Sequence, residues 1–263
     1  MPATRGAATA ADTQTLLRLT GVSKAFGPVQ ALTDVRLDVP AGAVTALVGD
    51  NGAGKSTLIK CISGISPPDA GTIAWKGREV RIDSPTVAND LGIQTVYQDL
   101  ALCDNLDIVQ NMFLGRERLR RGQLNELSME QAAAQTLSEL AVTTVRSVRQ
   151  LVASLSGGQR QSVAIAKAVL WQSELVIMDE PTAALGVAQT RMVLDLVRTL
   201  VERGQAVLLV SHNLLDVFEV ADRIAVMRQG RLVDVRPTAR TNQAIVVDLM
   251  TTGETSRSVE QAT

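Results

Sequence analysis

Gly49-Asp50-Asn51-Gly52-Ala53-Gly54-Lys55-Ser56 follows an apolar run at 43–48 and leads into a helical pattern that starts near Lys55 and stops at Gly64. The spacing fits G-x4-G-K-S/T, a strand-to-helix loop whose backbone N–H groups turn inward around phosphate oxygens. Glycines permit that turn, and the positive N-terminal end of the following helix adds to anion binding. In such a loop Lys55 reaches the β- and γ-phosphates, while the Ser56 hydroxyl, next to Thr57, coordinates Mg²⁺. Composition alone produces this pattern in on the order of one chain in a hundred. The plain alternative is a Gly-rich turn without a ligand.

Outward from the loop, short β runs alternate with helical patterns, which predicts an α/β fold with a mainly parallel sheet. Pro67-Pro68-Asp69-Ala70-Gly71 reads as a turn, and 72–82 as a hairpin around Lys76-Gly77. Ser128-Met129-Glu130-Gln131 has a capping-box pattern and is read as the opening of an Ala-rich helix running to about Leu140. No strand is expected between about 100 and 172. Strand patterns return at 175–178 and 207–210. Between them Val193, Leu196, Val197, Leu200 and Val201 mark one face of a helix ended by Gly204. Runs at 224–227 and 232–235, joined through Gln229-Gly230, predict a closing hairpin. The resulting division is a single domain at 16–250, with 16–98 and 172–250 as core and about 99–171 as an inserted helical lobe. Tails are expected at 1–15 and 251–263.

Leu175-Val176-Ile177-Met178-Asp179-Glu180 is an apolar strand ending in two acids, at the edge where α/β proteins bind ligands. Asp179 suits the Mg²⁺ shell and Glu180 suits polarising an attacking water. In isolation such a pair also fits a loop start or a helix cap. In Leu155-Ser156-Gly157-Gly158-Gln159-Arg160, Ser156 is placed to cap the next helix, and the two glycines leave its N-terminus bare for an anion. One phosphate cradle is already present, so a second helix N-terminus needs a phosphate of its own. A dimer in which this segment closes over a partner's nucleotide meets that need; a capped helix after a flexible loop is the simpler alternative.

Of the 263 residues 46% are hydrophobic and 20% charged, enough for a core that needs no disulfide or metal. Lys plus Arg is 26 against 27 acids, a net charge of −1, which argues against a chain built to grip nucleic acid or anionic lipid. Aromatic residues at 2% argue against stacked-base platforms. No apolar run approaches the ~20 residues that span a bilayer, and the first 15 residues show no secretory pattern. Cys61 and Cys103 form no CxxC and are read as reduced, buried thiols in a cytosolic protein.

The loop at 49–56, the LSGGQR at 155–160, Met178-Asp179-Glu180-Pro181-Thr182 and Ser211-His212 occur in the order of an ABC-type ATP-binding subunit. The resemblance covers roughly residues 17–235. It implies a P-loop NTPase core with a mainly parallel sheet, an antiparallel β portion and an inserted helical subdomain. It also implies an ATPase using ATP and Mg²⁺. Ser156, Gly157, Gly158 and Gln159 then close on ATP held by the opposite subunit. Gln98, after the strand-like 93–97, matches the glutamine that senses Mg²⁺ and the membrane subunit. His212, the single histidine, takes a switch role at the γ-phosphate and hydrolytic water, beside Glu180. Phe26, 23 residues before the loop, matches the aromatic that stacks on adenine; a core phenylalanine is the rival reading. ATP binding is thus assigned to Phe26, Gly49, Asp50, Asn51, Gly52, Ala53, Gly54, Lys55, Ser56, Thr57 and Gln98. Mg²⁺ is assigned to Ser56, Gln98 and Asp179, and catalysis to Glu180 and His212.

Gly186, in Ala183-Ala184-Leu185-Gly186-Val187, stands where the family usually has an aspartate. The subgroup that shares this glycine is the bacterial monosaccharide importers. Val96-Tyr97-Gln98-Asp99-Leu100-Ala101-Leu102 and Asn111-Met112-Phe113-Leu114-Gly115-Arg116-Glu117 also resemble their fructose, xylose and ribose subunits. Implied partners are a second ATP-binding subunit in a homodimer, membrane permease subunits docked between Gln98 and the helical lobe, and, indirectly, a periplasmic sugar-binding protein. The implied location is cytoplasmic, on the inner face of a bacterial cell membrane. A non-transport ABC ATPase acting on DNA or ribosomes is the runner-up, but paired halves, coiled coils and basic linkers are missing. A metabolite kinase leaves LSGGQR unexplained.

Overall fold

The structure is a computed structural model that describes residues 14–171, 173–183 and 185–254. Most of both expected tails, and Ala184, lie outside the described residues. The chain opens with two 12-residue strands, β1 (Thr15–Phe26) and β2 (Val29–Pro40). Their alternation buries Leu17, Leu19, Leu37 and Val39 and turns Arg18 and Asp38 outward. β3 (Val44–Val48) follows, then the Gly-rich loop and α1 (Lys55–Ile62). β4 (Ala70–Trp75) and β5 (Arg78–Val80) form the hairpin expected around Lys76-Gly77 and complete an antiparallel sheet ordered β2-β1-β4-β5.

The Ser84-capped α2 (Pro85–Asp90) leads to β6 (Ile93–Val96). The inserted region contains α3 (Ile108–Phe113), β7 (Leu119–Arg120), β8 (Gln123–Leu124), α4 (Glu126–Glu139) and α5 (Gly157–Leu170). β9 (Leu175–Asp179), α6 (Val187–Glu202), β10 (Ala206–Val210), α7 (Leu214–Val220), β11 (Arg223–Arg228), β12 (Arg231–Pro237) and α8 (Gln243–Thr251) complete the fold.

The second sheet runs β12-β11-β3-β10-β9-β6, parallel throughout except for β12. Its inner strands β3, β9, β10 and β11 are buried on both faces, so they read as largely apolar runs rather than as alternation. The period of two still sorts them. Val44, Ala46, Val176, Met178, Val207 and Leu209 face one core with the helical lobe and α6. Leu47, Leu175, Ile177, Leu208 and Val210 face a second core shared with α1 and the antiparallel sheet. β3 lies between β11 and β10, so the Gly-rich loop emerges at the middle of the sheet's C-terminal edge.

The structure corrects several expectations. The inserted region holds a two-stranded hairpin, β7–β8, where none is expected; strands of two residues are too short to show a period. α4 starts at Glu126, capped by Asn125, whose side chain accepts from the Ser128 N–H, so Ser128 lies within the first turn. Thr15 belongs to β1 and Thr251 to α8, one residue beyond each expected domain boundary. Cys61 is buried, and burial pushes its thiol up to about 11, but Cys103 is only half-buried.

Gly64 closes the α1 turn at φ 74°, and a Cβ there would sit 2.3 Å from the Ser84 carbonyl oxygen. Gly64→Ala is expected to cost about 2 kcal/mol or more, from the left-handed backbone and this contact together. Urea unfolding checks it; a variant with the parent's midpoint and slope would show that the 84–85 segment yields freely.

Candidate active site

The fold brings the loop, the acids and the histidine to one edge. β3, β9 and β10 are adjacent parallel strands, and each delivers its next residues to the same C-terminal side: Gly49 to Ser56 after β3, Glu180 after β9, Ser211 and His212 after β10. A cleft of about 710 Å³ is lined there by Asn51 through Thr57, and opposite them by Gln98, Asp179, Glu180 and His212. Gly49 and Asp50 do not line it. Gly49 shapes the exit of β3 at φ 154°, where a Cβ would lie 2.3 Å from the Met227 carbonyl oxygen. The Lys55 ammonium, buried to 8% exposure, donates to the carbonyl oxygens of Gly49 at 2.6 Å and Asp50 at 3.0 Å. Those bonds hold its charge across the mouth of the loop. Gly54 caps α1 in the left-handed region at φ 101°, with no side chain over the helix N-terminus.

Asp179 ends β9 partly buried. Burial, then the neighbouring Glu180 charge, raises its carboxyl above the usual range, against the opposing pull of Lys55 and Lys60. Glu180 has φ 51°, an unusual backbone for a non-glycine residue. Its N–H donates to the Val210 carbonyl at 2.9 Å, which ties β9's end to β10's. Its Oε2 lies 2.8 Å from His212 Nδ1 and accepts from the His212 backbone N–H at 3.4 Å. Two contacts that sequence reasoning missed complete this edge. The Thr182 hydroxyl donates to Asp216 at 2.7 Å, a buried bond between the loop after β9 and α7. Val29, Gln30 and Ala31 from the start of β2, with Gln229 and Gly230 from the β11–β12 turn, form the far wall. The Gln229-Gly230 turn is the sequence signal for one side of that wall, and only tertiary proximity joins it to the start of β2.

Phe26 is not brought into the cleft. It ends β1, paired with Val29, is 49% exposed and lies under the Lys24 ammonium at 5.7 Å. That exposure overturns the core-phenylalanine alternative. Ser156, Gly157, Gly158 and Gln159 also lie outside the cleft lining. They form the first turn of α5, where Ser156 and Gln159 cap each other reciprocally: Gln159 N–H donates to Ser156 Oγ at 3.4 Å, and Ser156 N–H to Gln159 Oε1 at 2.9 Å. Gln159 Nε2 donates further to the Thr144 carbonyl at 2.6 Å, so this side chain is engaged within its own chain. Gly186 caps α6 with no side chain, and Gln189 reaches back to accept its N–H at 3.1 Å.

Among the described residues no group of three or more His, Cys, Asp and Glu side chains could hold a metal alone. The oxygen donors Ser56, Gln98 and Asp179 all face the cleft. Such a set fits Mg²⁺, which takes one or two carboxylates and relies on substrate phosphates and water for the rest. A cation there also relieves the crowding of Asp179 and Glu180.

A phosphate loop at the middle of a parallel sheet's C-terminal edge, facing paired acids and flanked by an inserted helical lobe, defines a P-loop nucleotide-binding cassette. The family model described as ABC transporter matches residues 32–183. Over 236 residues the chain is 44% identical to a xylose/arabinose import ATP-binding protein of Sulfolobus acidocaldarius, covering 90% of this chain and 94% of that one. It is 48% identical over 223 residues to a fructose import ATP-binding protein of Rhizobium meliloti, covering 82% and 86%. A solved nucleotide-free ATP-binding cassette from an ABC transporter matches with TM-score 0.73 at 25% identity, over 85% of this chain and 91% of that one. The ADP conformation of another cassette matches the fold with TM-score 0.77 at 24% identity, over 95% and 98%. The chain belongs to the ABC transporter family, as an ATP-binding subunit.

Asp179→Asn removes one of two crowded carboxylates from a partly buried site. In buffer with chelator and without nucleotide, its thermal midpoint is expected to rise by about 2–4 °C, the equivalent of roughly 1 kcal/mol in a chain this size. An unchanged or lower midpoint in a calorimetric scan would show that Lys55 and Lys60 already balance the pair.

Proposed function

We propose that this subunit hydrolyses ATP to drive import of a monosaccharide, as a homodimer docked on permease subunits at the inner face of the membrane. The observation that carries the reading is a division of labour. Lys55, Ser56, Gln98, Asp179, Glu180 and His212 converge on one cleft, while the Gly157-Gly158 N-terminus of α5, capped by Ser156 and Gln159, lies outside it. A nucleotide bound by the loop therefore meets only half of the anion-binding groups that the chain possesses. The other half is supplied by a second copy, whose Ser156, Gly157 and Gly158 N-terminus closes over the same phosphates.

In that site the loop N–H groups and Lys55 bind the β- and γ-phosphates. Ser56, Asp179 and Gln98 hold Mg²⁺, which when bound neutralises charge on the phosphate oxygens. Glu180, aimed into the cleft by its left-handed backbone, polarises the attacking water. His212, held by its 2.8 Å contact with Glu180 Oε2, contacts the γ-phosphate, so its position reports whether that phosphate is present. Phe26, at the tip of the β1–β2 hairpin, swings to stack on adenine. The likeness to xylose/arabinose and fructose import proteins supports a monosaccharide as cargo. Among the described residues no helix is long and apolar enough to cross a membrane. Attachment in this reading is through the permease, with the binding protein acting on its far side.

Reconstitution with its permease and binding protein in vesicles is expected to give ATP hydrolysis that rises several-fold on adding the transported sugar, because closure is coupled to partner motion. Lys55→Ala should lower that rate about a hundredfold or more. Activity indifferent to every sugar but stimulated by DNA or ribosomes would replace this reading with a non-transport one.

A further inference from the structure

Arg160 follows the α5 cap directly, and its guanidinium makes three separate contacts. Nη1 donates to Asp104 Oδ1 at 2.8 Å, Nη2 to the Ala153 carbonyl at 3.2 Å, and Nε to the Leu155 carbonyl at 3.3 Å. Two of these acceptors belong to the turn that delivers Ser156, and the third lies six residues after Gln98. The backbone repeats the connection, since the Ala153 N–H donates to the Asp104 carbonyl at 3.1 Å and the Val152 N–H to the Leu106 carbonyl at 3.1 Å. On its other sides the α5 N-terminus is fixed by Gln159 on Thr144 and by close packing, where a Cβ on Gly157 would lie 3.3 Å from Leu185 and one on Gly158 3.0 Å from Gln189. The side facing the 98–104 loop is the side that Arg160 holds.

We propose that Arg160 is a positioning residue that ties the helix N-terminus offered to the partner's ATP to the loop that carries Gln98. This rests on the proposed two-copy site. The chemistry selects arginine. Its planar fork satisfies one carboxylate and two carbonyls in different directions at once, whereas an ammonium is a point donor. The Asp104 pair is half-exposed, so its charge attraction by itself is weak. The geometric work lies in orienting the carbonyls of 153 and 155, which set the direction in which Ser156 and the following N–H groups point. A shift of Gln98, which lines the cleft of its own copy, then moves the anion-binding turn that its copy presents to the other nucleotide. The two ATP sites of a dimer are coupled through this side chain.

The test uses Arg160→Ala, Arg160→Lys and Asp104→Asn, each alone and in the Glu180→Gln background, where ATP persists. In the nucleotide-free chain, hydrogen exchange in 153–160 and in 102–106 should speed up together in Arg160→Ala, by about threefold or more, and less in the other two. ATP affinity of the monomer by titration calorimetry should stay within about twofold of the parent, because the loop at 49–56 is untouched. The ATP-dependent dimer, followed by sedimentation, should weaken about tenfold in Arg160→Ala and by an intermediate factor in Arg160→Lys and Asp104→Asn. Exchange that changes in neither segment, or an Arg160→Ala dimer as tight as the Glu180→Gln parent, would overturn the proposal. If Glu180→Gln itself never dimerises with ATP, the two-copy reading falls, and joint exchange changes in 153–160 and 102–106 would still establish the tie within one chain.

Discussion

At Gly49 the backbone leaves β3 so close to β11 that the Met227 carbonyl oxygen occupies the place where a side chain would be, 2.3 Å from an ideal Cβ. The same crowding recurs nearby. A Cβ on Gly54 would meet the Ala31 carbonyl at 2.9 Å, and one on Gly230 would meet it at 2.6 Å, while the Gly230 N–H donates to the Ala53 carbonyl. Three backbone segments from β2, the loop and the β11–β12 turn thus meet at distances that leave no room for a side chain on Gly49, Gly54 or Gly230. The loop's conformation is set by its neighbours as much as by its own glycines, so its N–H groups are aimed before any phosphate arrives.

That rigidity supports an arrangement that is costly elsewhere. Asp179 and Glu180 stand side by side at the edge of a buried strand, with one carboxyl pushed up by burial and by its neighbour. Glu180 adopts a backbone that non-glycine residues seldom take. The Glu180 N–H bond to Val210 and the Thr182 bond to Asp216 hold this segment against its own preferences. Crowded carboxylates facing a phosphate loop are what a site for a cation and a phosphoryl group requires.

The parallel core was legible because each buried strand is an apolar run stopped by a turn or an acid, and because the 49–56 pattern sets Gly49, Gly54, Lys55 and Ser56 at fixed spacing between a strand and a helix. Both ends of the β9 acid pair and the lone His212 followed from strand position. Less was legible where tertiary contact decides. α4 begins at Glu126 rather than after Ser128 because Asn125 supplies the cap, its side chain accepting from the Ser128 N–H. The β7–β8 strands are too short to leave a pattern. Phe26 could be given two roles by spacing alone; only the hairpin's placement shows it on the surface near the cleft rather than in the core. The pattern at 155–160 does not say what the Gln159 side chain touches; its amide serves the cap and the Thr144 carbonyl. Arg160 gave no signal beyond its place after LSGGQ, since its partners lie five to 56 residues away.

The N-terminus of α5, a 14-residue helix, is capped by Ser156 and Gln159, and its first two residues are glycines that place no side chain over that turn. In the proposed two-copy site, a shared nucleotide would give that turn an anion and give the phosphates a second set of donors. The direct measurement is a disulfide cross-link between copies. Cys61 and Cys103 would first be replaced by alanine in the Glu180→Gln chain, and one copy would then carry Asn51→Cys and the other Ser156→Cys. A composite site predicts a covalent dimer that forms with Mg-ATP and not without it. Equal cross-linking with and without Mg-ATP, or none under either condition, would contradict it.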